Sequence, residues 1–216
     1  MKVEVTVVKG PKRTVMTIRG TALSLTWGML VWLFPAALYA GAPTDQVRAT
    51  ADRVLEILKD PQFASAAAKQ AQRDRLREGI HPRFDFEDMS RRALGQTWRR
   101  ISKTEQDDFV RLFKQLLEDS YLNNIQGFMG EKILYANEVE ESDYARVDTK
   151  LLTKEGEPIA INYNLHKVGA DWKVYDVVIG NISIVNNYRA QFTRLLGKDS
   201  FPEVLSLLRE KVAAAR

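Results

Sequence analysis

The chain has 216 residues, 45% of them apolar, and a formal charge of +4. That length and apolar fraction suit one domain of ordinary size and make disorder the wrong default. The first 40 residues hold Lys2, Lys9, Lys12, Arg13 and Arg19 against Glu4 alone; of 32 bases and 28 acids, the remainder therefore balances 27 against 27. A neutral body lacks the field that phosphate backbones require, and the runs Arg91-Arg92 and Arg99-Arg100 are short and lie beside acids, which argues against nucleic acid as a partner. The absence of cysteine excludes a disulfide framework, thiolate nucleophiles and cysteine-based zinc sites.

In chain order, a positive stretch through Arg19 precedes the apolar run Ala22 to Phe34, which leads into Pro35-Ala-Ala-Leu-Tyr-Ala-Gly-Ala-Pro43. This is the order of a secretory signal, with cleavage expected between Ala40 and Gly41, so that 1–40 is a signal peptide and 41–216 a single domain. The competing reading is an uncleaved anchor, because Ala22 to Ala40 approaches the roughly 20 apolar residues that span a bilayer. Pro35, Gly28, Thr26 and Ser24 make it a poor permanent span, and either reading exports the body.

Val47, Ala51, Val54, Leu55 and Leu58 recur at helical spacing behind Thr44, the expected N-cap, and Pro61 closes the element. A second helix is expected from about Gln62 to Glu78, and a short one opens at Phe84-Asp-Phe86 and stops at Gly95. Ser102-x-x-Glu105 is a capping box ahead of a helix with Phe109, Leu112, Phe113, Leu116, Leu117 and Tyr121 on one stripe.

After Gly130 the period becomes alternating. A strand is expected over 132–139; next, Ala145, Val147, Thr149 and Leu151 face one way, and a turn at Lys154-Glu-Gly156 leads to Ile159, Ile161, Tyr163 and Leu165, an antiparallel hairpin. Trp172 to Ile179 forms another strand, with Ile182 to Val185 continuing beyond Gly180-Asn181. Two C-terminal helices follow, through Tyr188 to Leu196 and Phe201 to Val212. The expectation is one α+β domain, its helices packed on one face of a curved, mostly antiparallel sheet.

Little in this pattern points to catalysis. His81 and His166 have no neighbours at metal-ligand spacing, and His166 falls on the polar, solvent-facing side of its strand. No phosphate loop, nucleophile elbow or H-E-x-x-H motif occurs. Asp176, in an apolar strand, is the one place for a perturbed carboxylate, although a lone strand aspartate also serves as a hydrogen-bonded structural residue. Trp172, Val174 and Val178 are read on one face of that strand and Tyr175, Val177 and Ile179 on the other. Its two apolar faces fit either a central strand buried on both sides or the wall of a ligand cavity.

The strands and the helical half together resemble the MlaC family of periplasmic phospholipid carriers, also called toluene tolerance auxiliary proteins, over about Asp45 to Ala213. The resemblance rests on Phe84-Asp-Phe86 with Met89 and Leu94-Gly95 ahead of Trp98; on Ser102-Lys-Thr-Glu-Gln106 with Phe109, Phe113, Leu117 and Tyr121; on Pro158-Ile-x-Ile-x-Tyr163; on Trp172-Lys-Val-Tyr-Asp176; and on Ile182-Ser-Ile-Val185 leading to Asn187-Tyr-Arg189-x-Gln-Phe192. Ile179-Gly-Asn181 departs from it, standing where relatives often have an acidic residue and Gly.

The resemblance implies an NTF2-like sheet, strongly curved, with helices closing a hydrophobic pocket for phospholipid tails. It implies a non-enzymatic, monomeric periplasmic carrier without cofactor or metal. Such a carrier passes lipid between an outer-membrane lipoprotein–porin complex and an inner-membrane ABC transporter bearing an MCE-domain ring, maintaining outer-membrane lipid asymmetry. The pocket residues it suggests are Trp98, Phe113, Leu117 and Tyr121 from the helices, and Val147, Leu151, Ile161, Tyr163, Val174, Val178 and Ile182 from the strands. A docking surface is expected to include the charged helix near Arg73 to Glu78. The alternative is an isomerase-type enzyme on the same cone-shaped fold using Asp176 in the pocket.

Overall fold

The computed structural model describes residues 42–125, 132–152 and 158–214. The signal-like segment 1–40 and the turn expected at Lys154-Glu-Gly156 lie outside them. Helix α1 spans Ala42–Lys59, and Thr44 sits inside it rather than at its cap. The backbone N–H of Thr44 donates instead to the carboxylate of Glu138, 2.8 Å away and 94 positions on.

The helix expected from Gln62 breaks into turns, because short polar side chains compete for its backbone donors. Asp60 accepts the Gln62 N–H at 2.9 Å and caps a 3₁₀ turn over Pro61–Phe63, while the Ser65 hydroxyl accepts the Ala68 N–H at 3.3 Å and starts another. Only then does α2 run, over Lys69–Ile80.

Asp85 caps α3 (Phe86–Leu94) by accepting the Asp88 N–H at 2.9 Å, and the helix ends on Gly95 at φ 57°, a conformation that favours glycine. A 3₁₀ turn over Gly95–Arg99 then leads to α4 (Lys103–Ile125). The capping box forms as read: the Glu105 carboxylate accepts the Ser102 N–H at 2.8 Å, and the Ser102 hydroxyl accepts the Glu105 N–H at 3.3 Å.

Strands β1 (Lys132–Glu141), β2 (Tyr144–Leu152), β3 (Pro158–Val168), β4 (Asp171–Ile179) and β5 (Ile182–Ser183) form one antiparallel sheet in chain order. Gly180 and Asn181 join the last two with φ of 54° and 70°, the backbone a tight hairpin turn demands. Strand β5 is shorter than the sequence suggested. The Ser183 hydroxyl accepts the Asn186 N–H at 3.0 Å and opens α5 (Ile184–Leu196), so Ile184 and Val185 are helical. Helix α6 (Phe201–Ala214) completes the chain.

Two bulges shape the sheet. Ala136 is the extra residue in β1, between the pairs Tyr135–Thr149 and Asn137–Asp148; Tyr175 is the extra residue in β4, between Asp176, which pairs with Asn164, and Val174, which pairs with Leu165. A bulge bends the strand and reverses its alternation of faces. The reading of β4 is corrected accordingly: Val177 and Ile179, opposite Tyr163 and Ile161, share the inner face with Trp172 and Val174, whereas Val178 turns outward with Asp176. In β1 the same reversal brings Glu138 inward, opposite Val147 and within reach of α1.

The main core joins α3 to α6 with the inner face of the sheet around packed rings, Phe109 lying 5.1 Å from Phe192 and 5.5 Å from Phe113 between centroids. A smaller cluster of Leu58, Leu76 and Leu122 ties together α1, α2 and the end of α4.

Candidate functional site

A cavity of about 710 Å³ lies between the inner face of the sheet and α1, α2 and α4. Helix α1 roofs it with Val47, Ala51, Val54, Leu55 and Leu58, the stripe that the sequence marked as a buried helix face. Phe84, Phe86 and Met89 close it from the start of α3.

Of the pocket residues expected from the sequence, Leu117 and Tyr121 line the cavity from α4, and Leu151, Ile161, Tyr163 and Val174 line it from the sheet. Ile182 also lines it but is 63% exposed, which places it at the rim. Trp98, Phe113 and Val147 are buried in the main core away from the cavity, and Val178 is on the outer side of β4. Val177 and Ile179 line the cavity in its place. The sequence carries no signal for the bulge that exchanges them, since no glycine marks it.

A polar seam crosses the otherwise apolar wall between α2 and α4. The Glu118 carboxylate accepts from Arg77 Nε at 2.8 Å and is paired with His81 Nε2 at 2.7 Å, while Arg77 also meets Asp74 at 2.6 Å. Burial pushes the Glu118 carboxyl up, but the bonds and charges of His81 and Arg77 outweigh it and hold the group below the ordinary carboxylate range. Towards the sheet, Arg83 donates to the Trp172 carbonyl at 2.6 Å and, through Nε, to Thr50 at 3.4 Å. Burial lowers its guanidinium from the usual value, with Asp171 acting against that. Burial, then the neighbouring Tyr135, push the Tyr163 phenol up to about 12, so at neutral pH it is an uncharged part of a greasy wall.

Asp176 does not reach this space. Lying past the Tyr175 bulge, its carboxylate accepts the Ser183 hydroxyl at 2.7 Å and the Val185 N–H at 3.0 Å, holding the start of α5 against β4. His166 is also not the solvent-facing residue the strand period suggested: its Nε2 lies 2.9 Å from Asp85 Oδ2 and its ring meets Tyr175 edge-on. Among the described residues there is no cluster of His, Asp and Glu able to hold a metal, and no helix long and apolar enough to cross a membrane. The arrangement can enclose a hydrocarbon.

A family model described as MlaC protein matches residues 48–210. The chain belongs to the MlaC family. Among relatives, the intermembrane phospholipid transport system binding protein MlaC of Haemophilus influenzae is 20% identical over 143 residues, 64% of this chain and 67% of that one. The toluene tolerance protein ttg2D of Pseudomonas putida is 27% identical over 170 residues, 76% of this chain and 79% of its own length. A phospholipid-binding protein from Ralstonia solanacearum, solved in complex with a phospholipid, superposes with a TM-score of 0.72 at 25% identity, covering 79% of this chain and 97% of that protein. In this MlaC-family chain, then, the cavity lies within a fold shared with a protein solved in complex with a phospholipid.

Proposed function

We propose that this chain is a phospholipid carrier that holds acyl tails in the cavity beneath α1 and leaves the head group at the rim near Ile182 and Asn187. The observation that carries the reading is the largely apolar cavity of about 710 Å³ inside a MlaC-family fold. The contacts with the tails fall to Leu117, Tyr121, Leu151, Ile161, Tyr163, Val174, Val177 and Ile179.

The energetics favour such a device. A diacyl lipid crossing water exposes about 30 methylenes, at roughly 0.8 kcal/mol each a penalty on the order of 25 kcal/mol. A cavity that replaces bilayer contacts makes the transfer nearly neutral and asks for no fuel in the carrier itself. In this reading the protein works in the periplasm after export through residues 1–40. It moves lipid between the outer-membrane lipoprotein–porin complex and the inner-membrane transporter with its MCE-domain ring, maintaining outer-membrane asymmetry by transport rather than turnover.

The test is organic extraction of the protein purified from its own cells, followed by mass spectrometry. Stoichiometric phospholipid is expected. Material that comes out lipid-free and takes up none from vesicles would overturn the reading.

A further inference from the structure

Residues 89–103 contain Arg91, Arg92, Arg99, Arg100 and Lys103, residues 184–198 contain Arg189, Arg194 and Lys198, and neither stretch contains a single Asp or Glu. The fold lays them side by side. Helices α3 and α5 pack against each other, and the Arg189 guanidinium lies over Gly95 at the end of α3, where a Cβ would come within 3.3 Å of it. In a body whose 27 bases and 27 acids balance only with these residues counted, this sets Arg189 of the second stretch beside the end of the helix that carries the first.

Asp199 directly follows the second stretch, and Asp88 and Asp107 offset part of the charge of the first, leaving five bases of the two stretches without an ion pair among the described residues. Asp88 is taken by Arg91 Nε at 2.9 Å and Arg92 Nε at 2.7 Å, and Glu105 is turned back onto Ser102. Lys103 pairs with Asp107 at 2.8 Å. Arg99, Arg100, Arg189, Arg194 and Lys198 remain exposed with no ion pair among the described residues. Helix α2, the charged helix singled out in the sequence, is the contrast: Arg75 meets Glu78 at 2.8 Å and Arg77 meets Asp74 and Glu118, so its charges largely satisfy one another.

We propose that the face formed by α3, the turn Gly95–Arg99 and α5 docks an acidic surface of another protein. Like charges clustered within a Debye length of about 8 Å repel one another in the free protein, and opposing carboxylates relieve that repulsion. Most of these bases are arginines, whose planar forks match carboxylates in two-bonded pairs. A bilayer fits less well: among the described residues the exposed large apolar ones are Leu134, Val139, Tyr144, Val168, Ile182 and Leu207, none of them on α3, this turn or α5, so the face offers nothing to insert between lipids. The proposal does not depend on what fills the cavity.

The experiment places a photoreactive side chain at Gln96 or Thr193, both exposed among these bases, in the full chain inside its own cells, and sequences the joined peptides. An acid-rich segment of another protein is expected from both positions. Arg99→Glu with Arg100→Glu, which leaves Arg189 over Gly95, is expected to lower the yield several-fold; adding Arg189→Glu should lower it at least tenfold. Replacing the captured acids by lysine should restore it in the triple variant. Cross-links only to phospholipid, only to a second copy of this chain, to a protein with unchanged yield in the triple variant, or to nothing would each overturn the proposal. Native mass spectrometry of the same variants reads lipid load separately: the triple variant is expected to remain loaded, whereas a lipid-free parent would count against the carrier and not against the docking face.

Discussion

Glu138 reaches from β1 to the Thr44 N–H at 2.8 Å and so fastens the start of α1, the roof of the cavity, to the edge of the sheet. A carboxylate at a helix N-terminus satisfies an otherwise orphaned donor and meets the positive end of the helix dipole. Glu138→Ala is expected to cost about 1 kcal/mol, seen in the denaturant midpoint. It should also quicken lipid exchange with labelled vesicles, because a less firmly fastened α1 covers the tails less tightly. Unchanged exchange in a measurably less stable variant would show that the fastening of α1 does not limit exchange.

The β4 bulge makes neighbouring valines unequal. Val177→Glu puts a carboxylate against the tails, where desolvation is costly, and is expected to empty the cavity in native mass spectra while circular dichroism stays that of the parent. Val178→Glu faces outward and should leave the load intact. Ile182, a pocket residue expected from the sequence, sits at a 63% exposed rim, so Ile182→Glu should reduce the load only in part, since its carboxylate stays hydrated.

Core and cavity wall should also respond differently to truncation. Phe109 is fully buried against Phe113, Phe192 and Phe201, so Phe109→Ala is expected to cost about 3–5 kcal/mol. Ile161 already faces empty space on one side, has fewer contacts to lose, and Ile161→Ala should cost less than about 2 kcal/mol. Urea unfolding of the delipidated proteins measures both; equal costs would mean the cavity collapses when empty.

The Glu118 seam predicts an acid-dependent stability. Its folded-state carboxyl lies below the usual range, so the linked stabilisation is present above the unfolded value of about 4.3 and is lost as the pH falls through the folded one. Glu118→Gln is therefore expected to be less stable than the parent at neutral pH, with the gap closing in strong acid. A gap that stays constant from neutral pH to about pH 3, below the unfolded value, would assign the stabilisation to packing instead of charge.

Much of this protein is legible in one dimension. The capping box at Ser102 and Glu105, the stripe from Phe109 to Tyr121 and the inward set Ala145, Val147, Thr149 and Leu151 follow from local hydrogen bonding and from periods of 3.6 and 2. Two such readings failed where a polar side chain intervened: Asp60 and Ser65 broke the second helix, and Ser183 turned an expected strand into α5. The candidate site was legible only in part. Trp98, Phe113 and Val147 are as apolar as Leu117 and Ile161, and composition cannot tell a side chain that fills space from one that borders it.

The sequence by itself determined most of the helices and strands and the greasy stripes of α1 and α4, because those follow from contacts a few residues apart. Tertiary structure alone decided that the greasy faces stand off from one another, that bulges at Ala136 and Tyr175 turn Glu138 and Val177 inward, and that Asp176 caps a helix instead of entering the cavity. It also decided that segments 89–103 and 184–198, far apart in the chain, lie side by side, with Arg189 over Gly95. The physical reason is the same in each case: register, hollowness and charge clustering are properties of residues distant in the chain, fixed when the whole sheet curls.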